Sequence, residues 1–387
     1  MSEVQHPALL PAGMHDLLPP EAEIEAGVVA QLMATLAAHG YERVKPPLVE
    51  FEETLFSGAG AAMANSTFRM MDPVSHRMIG VRADVTPQIA RIAATRLGGA
   101  PRPLRLSYAG QVLRVRGSEI RPERQIGQVG GELIGAAGPA ADVEAIAVAG
   151  AALAGLGVAH LTVDITLPTL VPAIAEAYGI DGEREAALRA ALDHKDAAAV
   201  TALAGQAGKL LERLLFAAGP AATALAALDR LDLPKRANAE RGRLGTVLDG
   251  LAAAAPALKA TVDPVENRGF EYHSGISFTF FAGGSAAHGP LGELGRGGRY
   301  EAGDPAATEP ATGFTLYTDT ILKALPEAAG PRRVLLPLGA ERVRAEALRA
   351  AGWVTVAALA SVGDWRVEAQ RLGCSHVLEN DNPVPVG

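Results

Sequence analysis

The sequence is poor in cysteine and has no excess of positive charge. Cys374 is the single cysteine among 387 residues, so an internal disulfide framework and a cysteine-ligated zinc site are excluded. Lysine and arginine number 35 against 43 aspartates and glutamates, which gives a formal net charge of -8 and no electrostatic footprint for nucleic acid. We therefore expect a protein of the reducing cytoplasm that does not bind nucleic acid.

Several sequence features of common protein classes are also missing. The N-terminal segment MSEVQHPALLPAGMHDLLPPEAE has no basic start followed by an apolar run, so we expect no signal peptide. Charges, glycines and prolines interrupt every apolar run before it reaches membrane-spanning length. There is no Walker loop, no Gly-x-Gly-x-x-Gly between strand and helix, no Gly-x-Ser-x-Gly and no His-Glu-x-x-His. The sequence therefore predicts neither a membrane protein nor a metal or cofactor site.

Two strand-like runs joined by a charged loop form the centre of the sequence, at residues 103–132. In the second run Arg124, Gln128 and Glu132 share one face by the two-residue period, beside glycines that leave this face open. Four strand residues span roughly 13 Å, so the side chains at 128 and 132 can bracket a ligand of amino-acid size. The alternative is the solvated face of an antiparallel sheet. Glycines beside an arginine, an amide and a carboxylate favour the ligand-binding floor.

Further strand patterns precede this central stretch in the sequence. Residues 41–51 predict one strand, which Pro46 and Pro47 confine to a sheet edge or a bulge. An exposed edge of this kind is suited to a subunit interface. Residues 68–71 and 77–83 predict two strands about a turn.

The segment VRADVTPQIAR changes from a strand pattern to a helix pattern. Asp84 and Thr86 end the strand, and Pro87 suits the first position of a helix. A threonine directly before a helix is a good N-cap, so capping is the structural alternative to ligand binding by Thr86.

A long helical segment interrupts the strand patterns. Residues from about 170 to 260 consist of short alanine-rich helical patterns separated by glycine and proline, which predict a helical insertion in a domain of residues 1–325. Strand patterns return in ENRGFEYHSGISFTFFAGG and GRGGRY. After a linker at residues 326–331, the remaining residues 331–387 follow the order β-α-β-α-β, which predicts a small α/β unit with a parallel sheet.

Ten polar or aromatic side chains lie at strand ends or on glycine-flanked strands and have chemistry suited to a zwitterion. A carboxylate can hold an ammonium group, an arginine can fork onto a carboxylate, and a third group selects the side chain. The set is Asp84, Thr86, Arg114, Gln128, Glu132, Arg268, Tyr272, His273, Arg299 and Tyr300.

Eight blocks of the sequence resemble the successive blocks of the histidyl-tRNA synthetase core. They are PAGMHDLLPP, GYERVKPPLVEF, VRADVTPQIAR, YAGQVLRV, RQIGQVGGELIG, ENRGFEYHSGISF, GRGGRY and ATGF, in that order. The resemblance covers roughly residues 8 to 325, and the helical insertion falls where that family has one. It implies a class II aminoacyl-tRNA synthetase-like α+β fold, in which helices flank a mixed, mainly antiparallel sheet.

The resemblance also implies roles for individual residues. In that family the block similar to VRADVT binds the amino group of histidine, and here Asp84 stands in place of the usual glutamate, with Thr86 beside it. The resemblance assigns Gln128 to the amino-acid backbone, Glu132 to the imidazole and Arg268 to the carboxylate.

Further matches complete the implied pocket. Tyr300 matches a pocket tyrosine, and His273, which follows Tyr272, stands where a tyrosine that contacts the imidazole is usual. Arg114 matches a phosphate-binding arginine.

Two departures from the synthetases bear on activity. The segment GFTLYTDTI has Thr320, after Asp319, where synthetases carry an arginine that clamps the ATP phosphates. The loss of a clamping charge predicts that adenylation is nearly abolished. The α/β unit of residues 331–387 resembles a shortened anticodon-binding domain, and the acidic chain weakens tRNA recognition further.

A synthetase-like core with these departures resembles the regulatory subunits of ATP phosphoribosyltransferase, a paralogous family in histidine biosynthesis. The resemblance implies a non-catalytic chain that a short-form catalytic subunit requires for activity and for feedback control by histidine. The segment PPLVEF resembles a dimer-forming block, which predicts at least a homodimer within a hetero-oligomer. The alternatives are an active histidyl-tRNA synthetase of unusual form and a free-standing histidine sensor.

Overall fold

The computed structural model describes residues 9–117, 121–266, 272–283, 292–304, 307–326 and 330–386, which form two compact units, Met1–Pro326 and Glu327–Gly387. The helices of the described residues are α1 (Glu21–Ala38), α2 (Glu52–Leu55), α3 (Thr86–Thr95), α4 (Pro139–Gly155), α5 (Leu170–Ala177), α6 (Gly182–Asp193), α7 (Ala197–Ala204), α8 (Gly208–Leu215), α9 (Ala221–Leu228), α10 (Lys235–Ala254), α11 (Thr318–Ala324), α12 (Arg342–Ala350) and α13 (Trp365–Arg371). Short 3-10 helices occupy Gly58–Ser66 and Gly205–Ala207.

The strands of the described residues are β1 (Glu42–Arg43), β2 (Val49–Phe51), β3 (Phe68–Met71), β4 (Met78–Val81), β5 (Leu104–Leu113), β6 (Gln125–Ile134), β7 (Leu161–Thr166), β8 (Gly219–Pro220), β9 (Lys259–Asp263), β10 (His273–Ala282), β11 (Gly295–Asp304), β12 (Ala307–Tyr317), β13 (Arg333–Leu336), β14 (Val354–Ala357), β15 (His376–Glu379) and β16 (Asn382–Pro385).

A nine-stranded sheet organises the larger unit. Its strand order is β1-β5-β6-β12-β11-β10-β7-β9-β8. The pairs β1–β5 and β7–β9 are parallel, and all other neighbouring pairs in this order are antiparallel. The predicted α+β architecture with a mixed, mainly antiparallel sheet is confirmed.

The segment of residues 41–51 corrects one prediction, because it forms two short strands rather than one. β1 pairs with β5 at the edge of the nine-stranded sheet, whereas β2 belongs to a separate three-stranded sheet of order β2-β4-β3. Pro46 and Pro47 lie between them and have no N–H to donate to a strand ladder, so the chain leaves one sheet before it enters the other. The predicted strand pair of β3 and β4 is confirmed.

Both faces of β6 are covered, which excludes the solvated-face alternative for the central stretch. Every residue of β6 from Ile126 to Ile134 is buried. On one face Ile126 and Ile134 pack with Ile89 of α3, and on the other Val129 packs in the cluster that contains α1 and α4. The polar residues at 128 and 132 share a face with Ile126 and Ile134 by the two-residue period, and so lie beneath α3.

The helical segment is less separate than the sequence predicts. Its helices α5 to α10 bury leucines, such as Leu211 and Leu244, in the same core cluster as Phe278 and Phe280 of the sheet. Two strands also lie within the predicted bounds of about 170–260, because β8 and the start of β9 extend the nine-stranded sheet. The helical patterns of this segment gave no sign of these strands, because β8 has only two residues and β9 begins at the end of the segment.

The smaller unit contains a four-stranded sheet of order β14-β13-β15-β16. The pairs of β13 with β14 and with β15 are parallel, and α12 and α13 connect them in the predicted β-α-β-α-β order. β16 adds an antiparallel edge that the sequence did not predict. In the described residues of both units, every helix is too short or too polar to cross a membrane.

Candidate functional site

A small cavity lies on the face of the nine-stranded sheet that packs against α3. The lining residues are Asp84, Thr86, Glu132, Tyr272, His273, Arg296, Gly297, Gly298, Tyr300, Gly313, Phe314, Thr315 and Tyr317. The cavity has a volume of about 30 Å³, which is room for about two water molecules. A ligand of amino-acid size therefore requires some of the lining side chains to move.

Six of the nine residues that the resemblance assigned to a histidine pocket line this one cavity. Asp84 and Thr86 come from the start of α3, Glu132 from β6, Tyr272 and His273 from the start of β10, and Tyr300 from β11. These segments are far apart in the sequence, so it is the strand order that brings them together.

Glu132 is the deepest polar group of the cavity, with 1% of its surface exposed. The Thr86 hydroxyl donates to Oε1 at 2.9 Å, and the Tyr300 hydroxyl donates to Oε2 at 2.9 Å. Burial raises the pKa of Glu132 to about 8, although both hydrogen bonds lower it, and the charge of Asp84 raises it. At pH 7 this carboxyl therefore holds a proton, which a cationic or hydrogen-bond-donating ligand can replace.

Gly313 of β12 makes room for the Glu132 carboxyl. A Cβ atom at position 313 would lie 1.7 Å from Oε2 of Glu132, so any side chain there would displace the carboxyl. The glycine is needed for close approach rather than for backbone conformation.

Asp84 is oriented from both of its oxygens. Oδ1 accepts from the backbone N–H of Thr86 at 2.9 Å, and Oδ2 accepts from Nε2 of Gln128 at 3.0 Å. Gln128, which is fully buried, also accepts from the backbone N–H of Val85 at 3.1 Å. Gln128 therefore lies behind Asp84 and positions the start of α3, and it is not one of the lining residues.

Thr86 corrects the expectation that it caps the helix. Thr86 is the first residue of α3. The N-cap is Val85, whose side chain makes no capping hydrogen bond. The Thr86 hydroxyl donates to Glu132 instead. The prediction that Thr86 caps the helix is therefore wrong, because its hydroxyl faces the cavity.

Aromatic rings form the wall opposite α3. The rings of Tyr272 and His273 lie 4.1 Å apart between centroids, and the rings of Tyr272 and Tyr300 meet edge to face at 6.2 Å. The His273 imidazole lies over the bare backbone of Gly298, where a Cβ would come within 2.4 Å of its Cδ2 atom. Arg268, predicted to meet the ligand carboxylate, lies outside the described residues.

The two arginines of the GRGGRY segment point to opposite faces of β11. Arg299 lies on the far side of the sheet, where its Nη2 is 2.9 Å from Asp142 and its guanidinium donates to the carbonyls of Ala136 and Gly138. Of the ten candidate side chains, Arg299 is therefore one that lies away from the cavity. Arg296 lines the cavity and was missed, although the two-residue period that places Tyr300 in the cavity also places position 296 there.

Arg114 and Thr320 lie outside the lining of the cavity. Arg114 is half-buried, and its Nε donates to the carbonyl of Ala83 at 3.4 Å. The Thr320 hydroxyl donates to the carbonyl of Glu293 at 2.8 Å and accepts from Nη2 of Arg121 at 3.1 Å. Arg121, which the sequence did not single out, also lies 3.3 Å from Asp319 in an ion pair, so the cation at this corner is neutralised.

A larger groove of about 690 Å³ lies against the three-stranded sheet, between the proline segment and α3. It is open to solvent, and its charged residues include Arg91 and Glu50, which pair with each other. None of the described residues of this groove is a buried titratable group without a counter-ion, whereas Glu132 of the smaller cavity is such a group. We therefore place the candidate site in the smaller cavity. The described residues contain no cluster of histidine, cysteine or acidic side chains that could hold a metal ion.

Comparisons with known proteins show which sequences are similar to this chain. The family model described as histidyl-tRNA synthetase matches residues 13–321. An ATP phosphoribosyltransferase regulatory subunit of Paramagnetospirillum magneticum is 57% identical over 100% of both chains. A protein of the same name from Rhodospirillum centenum is 56% identical and covers 96% of this chain and 94% of its own.

A solved structure extends the comparison to three dimensions. The crystal structure of an ATP phosphoribosyltransferase regulatory subunit/histidyl-tRNA synthetase from Bacillus halodurans has a TM-score of 0.78 and 24% identity, and the match covers 94% of this chain and 96% of that one. At this identity the likeness concerns the fold alone. The predicted class II synthetase-like fold is confirmed.

Proposed function

The chain belongs to the family of ATP phosphoribosyltransferase regulatory subunits, and from this membership we propose that it acts without catalysis of its own, in a hetero-oligomer with a short-form transferase subunit. In this proposal histidine binds the cavity around Glu132 and inhibits the partner. The chain is thereby required for the first step of histidine biosynthesis and for its feedback control. We also propose that it forms at least a homodimer in that assembly.

The observation that carries the proposal is the chemistry around Glu132. This buried carboxyl accepts hydrogen bonds from Thr86 and Tyr300, and its pKa of about 8 leaves it ready to exchange a proton for a ligand N–H. An imidazole offers such an N–H. Asp84 lines the same cavity and can hold an ammonium group, so one ligand with both groups is favoured.

The corner at Thr320 supports a chain without catalysis of its own. Thr320 is a neutral hydroxyl, and the neighbouring guanidinium of Arg121 is held by Asp319. A paired cation cannot add its full charge to a phosphoryl group. One observation favours the alternative function, an active histidyl-tRNA synthetase: the cavity retains the carboxylates that a synthetase would use.

Regulation sets a thermodynamic condition on the cavity. Histidine can shift the partner only if it binds more tightly to one state of the complex than to the other. The small volume of the cavity is consistent with two states, because a histidine requires side chains that are now packed together to separate.

Calorimetric titration of the complex with histidine tests the proposed ligand. We expect Glu132→Gln to weaken binding by about 10-fold or more, because the buried carboxyl loses its role as acceptor for a charged donor. The control is Glu309→Gln, since Glu309 forks onto Arg102 and does not line the cavity. Equal affinity for wild type and Glu132→Gln would refute histidine binding at this cavity.

Histidine-dependent pyrophosphate exchange separates the two functions. We expect no exchange above background by this chain alone, because the cation beside Thr320 is paired. Robust exchange would establish the synthetase and overturn the non-catalytic proposal. Co-purification with a short transferase subunit, in contrast, distinguishes the regulatory chain from a free-standing sensor.

A further inference from the structure

Arg296 is a cation on the floor of the cavity. It lies on the same face of β11 as Gly298 and Tyr300 by the two-residue period, and its neighbour across the sheet is Thr315 of β12, which also lines the cavity. Tyr300 holds Glu132, and four strand residues separate the Cα atoms of Arg296 and Tyr300 by roughly 13 Å. The floor therefore has a carboxyl near one end and a guanidinium near the other, and Gly298, over which the His273 imidazole lies, between them.

We propose that Arg296 recognises the carboxylate of the ligand, so that the cavity selects an amino acid over the corresponding amine or alcohol. The inference rests on the proposed function, in which histidine binds this cavity. It adds a subsite that the family resemblance did not assign, because the resemblance placed the carboxylate on Arg268.

The charges along the cavity are arranged for a zwitterion. Tyr272 lines the same cavity: desolvation raises the pKa of its phenol, Asp84 and Glu132 raise it further, and Arg296 lowers it. The charges of the acidic residues and of Arg296 therefore both act on this phenol. A zwitterion placed along the same line puts its ammonium and its ring N–H toward the carboxyls and its carboxylate toward the guanidinium.

Glu293 fixes the plane of the Arg296 guanidinium. Nε and Nη2 of Arg296 fork onto the two carboxylate oxygens of Glu293, each at 2.5 Å. The backbone carbonyl of Glu293 accepts in turn from Thr320 at 2.8 Å, which ties the fork to α11. Glu293 offsets part of the charge of Arg296, as Asp319 does for Arg121, but a guanidinium that is held in one plane loses little entropy when a ligand carboxylate binds to it.

The same chain offers a matched fork outside the cavity. Nε and Nη2 of Arg105 donate to Glu144 at 2.6 and 2.7 Å, and the Arg105 side chain is 35% exposed, against 36% for Arg296. Arg105 lies near His39 and Val148 instead of lining the candidate site. Arg105→Gln therefore removes an arginine–glutamate fork of similar side-chain exposure that does not line the candidate site.

The experiment compares L-histidine with L-histidinol, which replaces the carboxylate with a neutral alcohol and keeps the ammonium and the imidazole. Both are titrated calorimetrically into the full chain in complex with its transferase subunit, as wild type, Arg296→Gln, Arg296→Lys and Arg105→Gln. In the wild type and in Arg105→Gln we expect histidinol to bind about 10-fold more weakly or worse. In Arg296→Gln the ratio should fall to about threefold or less, with histidine losing affinity and histidinol nearly unchanged.

Other outcomes decide against the inference. A ratio that is the same in wild type and Arg296→Gln would assign the carboxylate to another group, and tighter binding of both ligands by Arg296→Gln would show that Arg296 only fills the cavity. Failure of the wild type to bind histidine would overturn the proposed function together with this subsite. If Arg296→Gln does not fold, as judged by its melting curve, Arg296→Lys decides, because it keeps the charge and should keep more than half of the discrimination on a logarithmic scale.

Discussion

Two buried carboxyls lie on opposite faces of the same sheet, and they are neutralised in different ways. Asp142 is fully buried on the far face, where it accepts from Arg299, from Arg243 at 3.2 Å and from the Thr312 hydroxyl at 2.8 Å. Glu132 is equally buried on the cavity face, but the groups that donate to it are the neutral hydroxyls of Thr86 and Tyr300.

The difference separates a structural group from the group that we propose binds the ligand. Asp142 has its counter-charge built into the chain, so it joins α4, α10 and two strands without a ligand. Glu132 takes its counter-charge from a proton, and a proton can be exchanged for a ligand. The neighbours Arg299 and Tyr300 show how little sequence distance separates the two roles, because one residue along a strand changes the face.

The largest expected effect on stability comes from removing the buried carboxylate of Asp142. Asp142→Ala leaves the buried guanidinium of Arg299 without its carboxylate, and the loss of one partner of a buried ion pair costs about 3–5 kcal/mol of unfolding free energy. Urea unfolding followed by circular dichroism measures this loss. Asp249→Ala, at an exposed position of α10, is the control and should change stability by less than about 0.5 kcal/mol. A loss below about 1 kcal/mol for Asp142→Ala would mean that the pair is not structural.

An intermediate effect tests the proton on Glu132. Its pKa is raised from 4.5 to about 8 on folding, so the folded state binds this proton more tightly, and the stabilisation is complete below pH 4.5 and is lost as pH rises through 8. Between pH 5.5 and 7.5 the stability of wild type relative to Glu132→Gln should fall by about 2.5 kcal/mol. Unfolding curves at several pH values give this slope.

Glu309→Gln serves as the control for that slope. The hydrogen bond from Arg102 lowers the pKa of Glu309, so its contribution is present above its unfolded pKa and is lost only as pH falls below it. The difference between wild type and Glu309→Gln should therefore stay constant from pH 5.5 to 7.5. A flat difference for Glu132→Gln as well would show that Glu132 is ionised throughout.

The smallest expected effect sharpens the role of Thr86. Thr86→Val keeps the shape of the side chain and removes the donor to Glu132, which should cost about 1 kcal/mol at pH 8.5, where the carboxyl is ionised, and less at pH 6. Unfolding at the two pH values measures the difference. A helix cap would instead stabilise equally at both, so an equal loss would return Thr86 to the capping role.

The sequence was sufficient where a local period governs the structure. The alternation in the two runs of the central stretch predicted β5 and β6, and the glycines beside Glu132 mark a close approach, which Tyr108 and the Phe314 carbonyl make at Gly130. The class II resemblance then supplied the fold class, whereas the strand order is seen only in the structure.

Other features depend on contacts that the sequence does not encode locally. Arg296 was missed, although the two-residue period from Tyr300 places it on the cavity face, whereas the neighbouring Arg299 falls on the other face. The hydroxyls of Thr86 and Tyr300 meet on Glu132 from segments 46 and 168 residues away, so their common target follows only from the folded sheet. The separation of β1 from β2 likewise required a second sheet, which two prolines alone do not specify.

The small volume of the cavity has a consequence for the rate of ligand binding. If only an opened conformation admits an amino acid, the apparent dissociation constant is the intrinsic one divided by the fraction of open molecules. The observed association rate then rises with ligand concentration only until opening becomes the slow step, and levels off at that first-order rate. A ligand that binds in this way responds to its sustained concentration, because fluctuations shorter than the opening time leave the occupancy unchanged.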